Sequence, residues 1–163
     1  MRYRMKEKIF SFTDQFTIED AQGRPVYEVK GKLLSLGDRL RFYDLQGNEL
    51  AFIKQELISL KPRYRIYRDD ELQAEISKKL FSLFRERFNI EMEGETPDLE
   101  IKGNILDHEY RFLQSGREVA HVSKKWFSLR DSYGVDVGPD VDDVLVLACA
   151  VVIDLISHEP END

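Results

Sequence analysis

The chain has a single cysteine, Cys149, so no disulfide can form within it. A reducing compartment is the simplest setting for such a chain, and a cytoplasmic protein is expected. Three histidines, His108, His121 and His158, have no cysteine or carboxylate at metal-ligand spacing, which argues against a zinc site. Glycine is too scattered to cradle a phosphate, and no P-loop, dinucleotide fingerprint or nucleophile elbow occurs. Positive charge is in deficit, with 24 Lys+Arg against 31 Asp+Glu, which argues against a general nucleic-acid binder. The stretch from Met1 to Phe12 is basic and lacks the apolar run of about 7–15 residues that a signal peptide carries. With no catalytic motif in view, the expectation is a protein that is not an enzyme and needs no metal or cofactor.

Long hydrophobic runs are also missing, with one exception. Val144–Ile156 (VLVLACAVVIDLI) is apolar on every side apart from Asp154. A helix with no polar face must be enclosed by protein or lipid. This one falls short of the roughly 20 apolar residues of a membrane span, and Asp154 argues further against an anchor. It reads as a helix inside a protein core, with Cys149 as a small buried hydrophobe. Gly138-Pro139 stops whatever precedes it. Asp140, Asp142 and Asp143 crowd its first turn, where carboxylates suit the helix dipole. The same acidic residues, with Asp136, do not meet the ligand spacing of a calcium-binding EF-hand loop.

The rest of the chain repeats itself. Ala51-Phe-Ile53-Lys-Gln-Glu-Leu57-Ile58-Ser59-Leu60 returns as Ala74-Glu-Ile76-Ser-Lys-Lys-Leu80-Phe81-Ser82-Leu83. It returns again as Ala120-His-Val122-Ser-Lys-Lys-Trp126-Phe127-Ser128-Leu129. A looser copy starts at Tyr27, and a degenerate one (Leu99, Ile101, Tyr110, Phe112) fills the gap before Ala120, for a period near 23 residues. Alternation in Arg39-Leu40-Arg41-Phe42, Arg63-Tyr64-Arg65-Ile66 and Tyr110-Arg111-Phe112 gives strands with one buried face. Asp20 to Gly23, Asp44 to Gly47, Arg68 to Glu71 and Gln114 to Gly116 supply hairpin turns. Adjacent apolar residues at Leu80-Phe81 and Trp126-Phe127 break the alternation and predict a bulge or corner in the middle of each unit.

Two strands per unit give about twelve antiparallel strands. A sheet of that size tends to curl, and closure removes its edges. A barrel well above eight strands is too wide for its own side chains to fill. The expected fold is therefore all-β with one helix: a closed barrel of about twelve antiparallel strands around the buried hydrophobic C-terminal helix. Residues 1–158 form a single domain, and residues 159–163 form a polar tail.

Three stretches carry a family resemblance. They are Lys8–Phe12 with Phe16–Ile18, Asp20, Gly23 and Pro25–Val29; Phe42–Asp44 with Gly47–Ala51 and Ile53; and Tyr133–Val135 through Asp142 into Val152–Asp154. In these the chain resembles the LURP-one-related (LOR) family, nearly end to end. The resemblance implies a twelve-stranded barrel around a hydrophobic helix, similar to the Tubby C-terminal domain and the phospholipid scramblases. It also implies a tie to membranes, since Tubby-like relatives bind phosphoinositides and scramblase relatives are membrane-associated. No cysteine-rich palmitoylation segment is present, and no Tubby lipid-binding residue matches a position here. Phe42–Leu50 also looks like a YD-type repeat of large shell proteins, but those shells need many more repeats and give the apolar helix no purpose.

Charge is uneven along the chain. Residues 1–90 carry 18 Lys/Arg against 14 Asp/Glu, a net of +4, and residues 91–163 carry the excess of acid. Lys78-Lys79 and Lys124-Lys125 occupy the same repeat position, each followed by apolar or aromatic residues. Lysines beside an aromatic suit a peripheral membrane surface or an anion site, and they also blunt exposed strands against aggregation. Lys78, Lys79, Lys124, Lys125 and Trp126 are thus the candidate lipid- or anion-binding residues. The expected partners are an anionic phospholipid or membrane surface, with the barrel acting as a binding module; the alternatives are a structural or regulatory barrel that binds another protein and, less favoured, an enzyme with a pocket at the barrel mouth.

Overall fold

The computed structural model describes residues 1–6, 15–32, 37–56, 63–77, 87–127 and 131–157. Among them twelve strands follow in order: β1 (Arg2–Lys6), β2 (Gln15–Asp20), β3 (Pro25–Lys32), β4 (Arg39–Asp44), β5 (Glu49–Glu56) and β6 (Arg63–Arg68). Then come β7 (Glu71–Ser77), β8 (Arg87–Met92), β9 (Leu99–Asn104), β10 (Glu109–Gln114), β11 (Arg117–Ser123) and β12 (Ser132–Val137). One helix, α1 (Asp143–Ser157), ends the described chain. Each strand pairs antiparallel with its sequence neighbours, and β1 pairs with β12 from Arg2↔Asp136 to Lys6↔Ser132, which closes the barrel.

Alternation sorts the side chains as the sequence predicts. In β4 Leu40 and Phe42 are buried, in β6 Tyr64 and Ile66, and in β10 Tyr110 and Phe112, while the intervening arginines point outward. The repeated alanine has a packing reason. Ala51, Ala74 and Ala120 lie directly across from Phe42, Ile66 and Phe112, a small residue facing a large one in three of the units. Such pairs let the wall interdigitate around a central rod at close-packed density. That rod is α1, in which Val144 through Ile156 are all buried; it packs most closely on β5, β6 and β12. No described helix is long and apolar enough to cross a membrane.

Of the bulge or corner expected in mid-unit, the structure shows a corner at Trp126-Phe127, and the bulges among the described residues lie elsewhere. Register shifts fall at Ile18/Glu19, Phe42/Tyr43, Ile66/Tyr67 and Phe112/Leu113, next to the short turns. Trp126 lies in the turn after β11, so the break in alternation at Trp126-Phe127 marks the end of a strand and not a bulge within one. Leu80-Phe81 lies outside the described residues. The turns themselves match their sequence signals. Asp20 Oδ1 accepts from the amides of Gln22 and Arg24, both at 2.9 Å, and Asp44 Oδ1 accepts from Gln46 and Asn48 at the same distance. Gly23 (φ +79°) and Gly47 (φ +86°) adopt the left-handed conformation each loop needs.

These bonds set a pH dependence. The Arg24 amide and guanidinium hold the Asp20 carboxyl below its usual range, and the Asn48 side chain and amide do the same for Asp44. A carboxyl depressed in the folded state stabilises above its unfolded pKa, and that contribution is lost as pH falls through the folded value. The melting-temperature gap between the wild type and the Asp20→Ala/Asp44→Ala variant should be wide at neutral pH and narrow below about pH 4. An unchanged gap at acid pH would remove the carboxylates from the account.

The helix gives a second expectation. Val151 is fully buried, and burying one such side chain contributes about 1.5–3 kcal/mol against a total of about 5–15 kcal/mol. Val151→Asp removes that term and buries an unpaired charge, so the variant should be insoluble or unfolded by circular dichroism. A cooperative melt near the wild-type temperature would mean that the helix is not enclosed.

Candidate functional site

Of the five residues singled out in the sequence, Lys124, Lys125 and Trp126 are described, whereas Lys78 and Lys79 lie outside the described residues. Lys124 and Lys125 are exposed in the turn that leaves β11. The turn is pinned from below. Ser123 Oγ donates to Glu109 Oε1 at 2.8 Å, the Lys124 amide donates to the same oxygen at 3.1 Å, and the Lys125 amide donates to Ser123 Oγ at 3.1 Å.

Trp126 is held against the barrel wall. The guanidinium carbon of Arg2 sits 4.2 Å over its ring centroid, and the His121 ring meets it edge-on at 4.9 Å. Phe127 lies beside it, with Arg4 5.9 Å above its ring. Both aromatics cross the backbone of β12 at Gly134, where an added Cβ would fall 2.7 Å from Trp126 Cε3 and 2.9 Å from Phe127 Cε2. Only glycine permits that approach. Trp126 thus clamps β11, β12 and β1 together, and the exposed Lys124 and Lys125 precede it in the same turn.

The arginines of the basic half do not form an open cationic face. Arg4 pairs with Glu19 and Arg41 with Glu49. Arg63 and Arg65 share Glu75, and Arg87 pairs with Glu100. These are pairs at the barrel surface, each worth little alone, and they intersperse charge of both signs along the wall. A shallow groove of about 170 Å³ lies among them, lined by Arg63, Glu75, Ser77, Asn89 and Glu91.

A second polar centre lies inside the barrel, and sequence spacing did not reveal it. Asp154, the one charge of the apolar helix, is buried. His108 Nε2 donates to its Oδ1 at 2.9 Å, and the Tyr133 hydroxyl donates to its Oδ2. The His108 and Tyr133 rings stack at 4.3 Å. His108 reaches this position from the β9–β10 connection with φ +52°, a left-handed conformation uncommon outside glycine. The Tyr110 hydroxyl faces the same region and has no hydrogen-bond partner among the described residues. Burial first, then Asp154 and Cys149, push its pKa well above the usual phenol value. Nearer β4, the Tyr64 hydroxyl donates to Asp38 Oδ2 at 2.9 Å. The signal that could have found this centre was Asp154 itself, since a buried carboxylate requires donors.

The other end of the helix is closed by its acidic residues. Asp142 Oδ1 accepts from the amides of Val144 (2.9 Å) and Leu145 (3.3 Å), and its Oδ2 meets Arg68 at 3.1 Å. Asp143 accepts from the Tyr3 hydroxyl. This is the helix-start chemistry expected from the sequence. No group of three or more potential ligands among the described residues is placed to hold a metal. Burial pushes the Cys149 thiol up to about 12, which keeps it unreactive.

The interior centre should hold the helix in register. Breaking a buried ionic or strongly hydrogen-bonded pair by deleting one member costs about 3–5 kcal/mol. Asp154→Ala should lower stability by that order in urea melts. A double-mutant cycle of Asp154→Ala with Tyr133→Phe should show coupling, with the second change costing little once Asp154 is gone. Additive effects would show that the two groups act separately.

Comparison with known proteins agrees with the architecture. A solved structure, the X-ray structure of a protein from Arabidopsis thaliana (AT5G01750), superimposes with a TM-score of 0.66 at 16% sequence identity, covering 95% of this chain and 90% of that one. At that identity the likeness concerns the fold alone. The uncharacterized protein YxjI of Bacillus subtilis (strain 168) is 33% identical over 64 residues, which are 39% of this chain and 40% of that relative's length. The profile of the LURP-one-related family matches residues 1–154, and the chain belongs to that family.

Proposed function

We propose that this protein is a non-enzymatic binding module of the cytoplasm that engages anionic phospholipid head groups at a membrane surface through Lys124 and Lys125. The observation that carries the reading is the exposed lysine pair on a turn fixed by Glu109 and by the Trp126 clamp. A pre-positioned turn loses little freedom when it meets a ligand. Arg4, Arg41, Arg63, Arg65 and Arg87 of the outer wall have carboxylate partners. The interior does not compete for the role, because the helix fills the barrel and the described inner positions are packed against it.

Each basic residue near an anionic bilayer contributes about 1 kcal/mol, so two lysines support weak, reversible attachment. The net charge of −7 opposes it, and contact is favourable only with the lysine turn facing the surface. Sedimentation should therefore show binding to anionic vesicles and none to neutral ones, fading as added salt shortens the screening length. Lys124→Glu/Lys125→Glu should abolish binding and leave the melting temperature unchanged, since both side chains are exposed. Salt-insensitive or equal binding to the two vesicle types would end the lipid reading and leave a barrel whose ligand is another protein.

A further inference from the structure

The Trp126 clamp contains a side chain that changes charge near neutral pH. Strand register places Asp136 of β12 opposite both Arg2 of β1 and His121 of β11. On its other side His121 faces Arg111 of β10. Arg111, His121, Asp136 and Arg2 thus form one row across four neighbouring strands of the outer wall. Trp126 folds back over this row, with Arg2 above its ring and the His121 ring against it.

The permanent charges of the row are balanced. Arg2 meets Asp136 at 3.5 Å, and Arg111 meets Glu118 at 3.8 Å. Glu118 also lies 3.7 Å from His121 Nδ1. Among the described residues, the charged groups around His121 are Arg111 on β10, Glu118 on its own strand, Asp136 on β12 and, across the indole, Arg2 on β1. The two cations and two carboxylates cancel. Glu109 adds one carboxylate beside the turn, where it accepts from the Ser123 hydroxyl and the Lys124 amide.

Against this background the state of one histidine sets the sign of the patch. Histidine is the side chain that ordinarily gains or loses its charge between about pH 5 and 8. The His121 side chain is 36% exposed, so solvent protons reach it, whereas His108 is buried inside the barrel. The charged form is also accommodated where it stands. Glu118 is at hand as a counter-ion, and the indole of Trp126 attracts a cation placed against it. Protonation therefore adds a positive charge to a neutral row without dismantling the clamp. Lys124 and Lys125 follow directly in the turn that leaves the same strand.

We infer that His121 makes attachment to a membrane acid-sensitive: its protonation adds a third cation to the surface presented by Lys124 and Lys125 and strengthens binding to anionic head groups. The inference rests on the lipid reading of the lysine turn and names how that site is regulated. One further basic residue at an anionic bilayer strengthens binding about fivefold. For an attachment built on two lysines, a third charge is a large part of the whole.

The chain has one tryptophan, so its emission reports on the clamp without a label. Emission of the free protein should fall in one step between about pH 8 and pH 5.5, because an imidazolium in contact with an indole quenches it. The step should vanish in His121→Gln. Sedimentation should then use vesicles of phosphatidylcholine and phosphatidylglycerol, whose head groups keep their charge over this range. The wild type should bind about fivefold more strongly at about pH 5.5 than at about pH 7.5. In His121→Gln the ratio should fall below about twofold, and His121→Lys should bind at both pH values as the wild type does in acid. Circular dichroism at both pH values checks that each variant is folded. Equal wild-type binding at the two pH values, or the same acid gain in His121→Gln, would overturn the regulation and leave the lipid reading standing. A missing fluorescence step would likewise overturn it, since His121 would not then titrate against Trp126. No binding at either pH would end the lipid reading, and the inference with it.

Discussion

The enclosure of α1 is the constraint on which the rest depends. Thirteen successive residues, Val144 to Ile156, are withdrawn from water, so the helix has no side left to show solvent. A sheet on one flank would cover a stripe and leave the remainder wet. A closed wall covers all of it, and a wall of twelve strands is wide enough to need such a filling. The alternating small and large residues, Ala51 against Phe42 and Ala74 against Ile66, let that wall approach the helix at close-packed density. The two features explain each other: the barrel would be hollow without the helix, and the helix insoluble without the barrel.

Among the described residues, carboxylates are bound near both ends of the helix, and the two ends are treated differently. At the N-terminus Asp142 caps the amides and meets Arg68, while Tyr3 secures Asp143. At the C-terminus no basic residue lies in the last turn to offset the carbonyl dipoles. Ser157 folds back to Ile153 O, and Asp154 is bound by His108 and Tyr133. The helix is capped by a carboxylate at its start and held by side-chain hydrogen bonds at Asp154 near its end.

The outer surface is governed by cross-strand charge pairing. Arginines that alternate with core residues in β4, β6 and β10 meet glutamates of neighbouring strands, which covers a hydrogen-bonded wall with charge of both signs. Such a surface resists association with other sheets. It also means that a count of lysine and arginine along the chain overstates the positive field available to a ligand. The Lys124–Lys125 turn leads into two aromatic rings whose close approach to β12 depends on Gly134.

The repeat, the strand alternation, the Asp–Gly turns and the all-apolar helix were legible in the sequence because each depends on residues within a few positions of one another. Local periodicity sets which face is buried, and a helix without a polar face dictates enclosure. The candidate site was legible only as a lysine pair beside an aromatic. That Trp126 would lie against Gly134 under Arg2, and that the arginines would be neutralised, depended on register between strands far apart in the chain. The Asp154 centre is clearer still: His108 lies 46 residues away, and no local spacing joins them. The sequence by itself determined a barrel around a helix, since hydrophobic burial acts on patterns that every residue carries. Tertiary structure alone decided which polar groups meet, because hydrogen bonds and ion pairs require two partners within about 3 Å, and only the closed sheet brings them there.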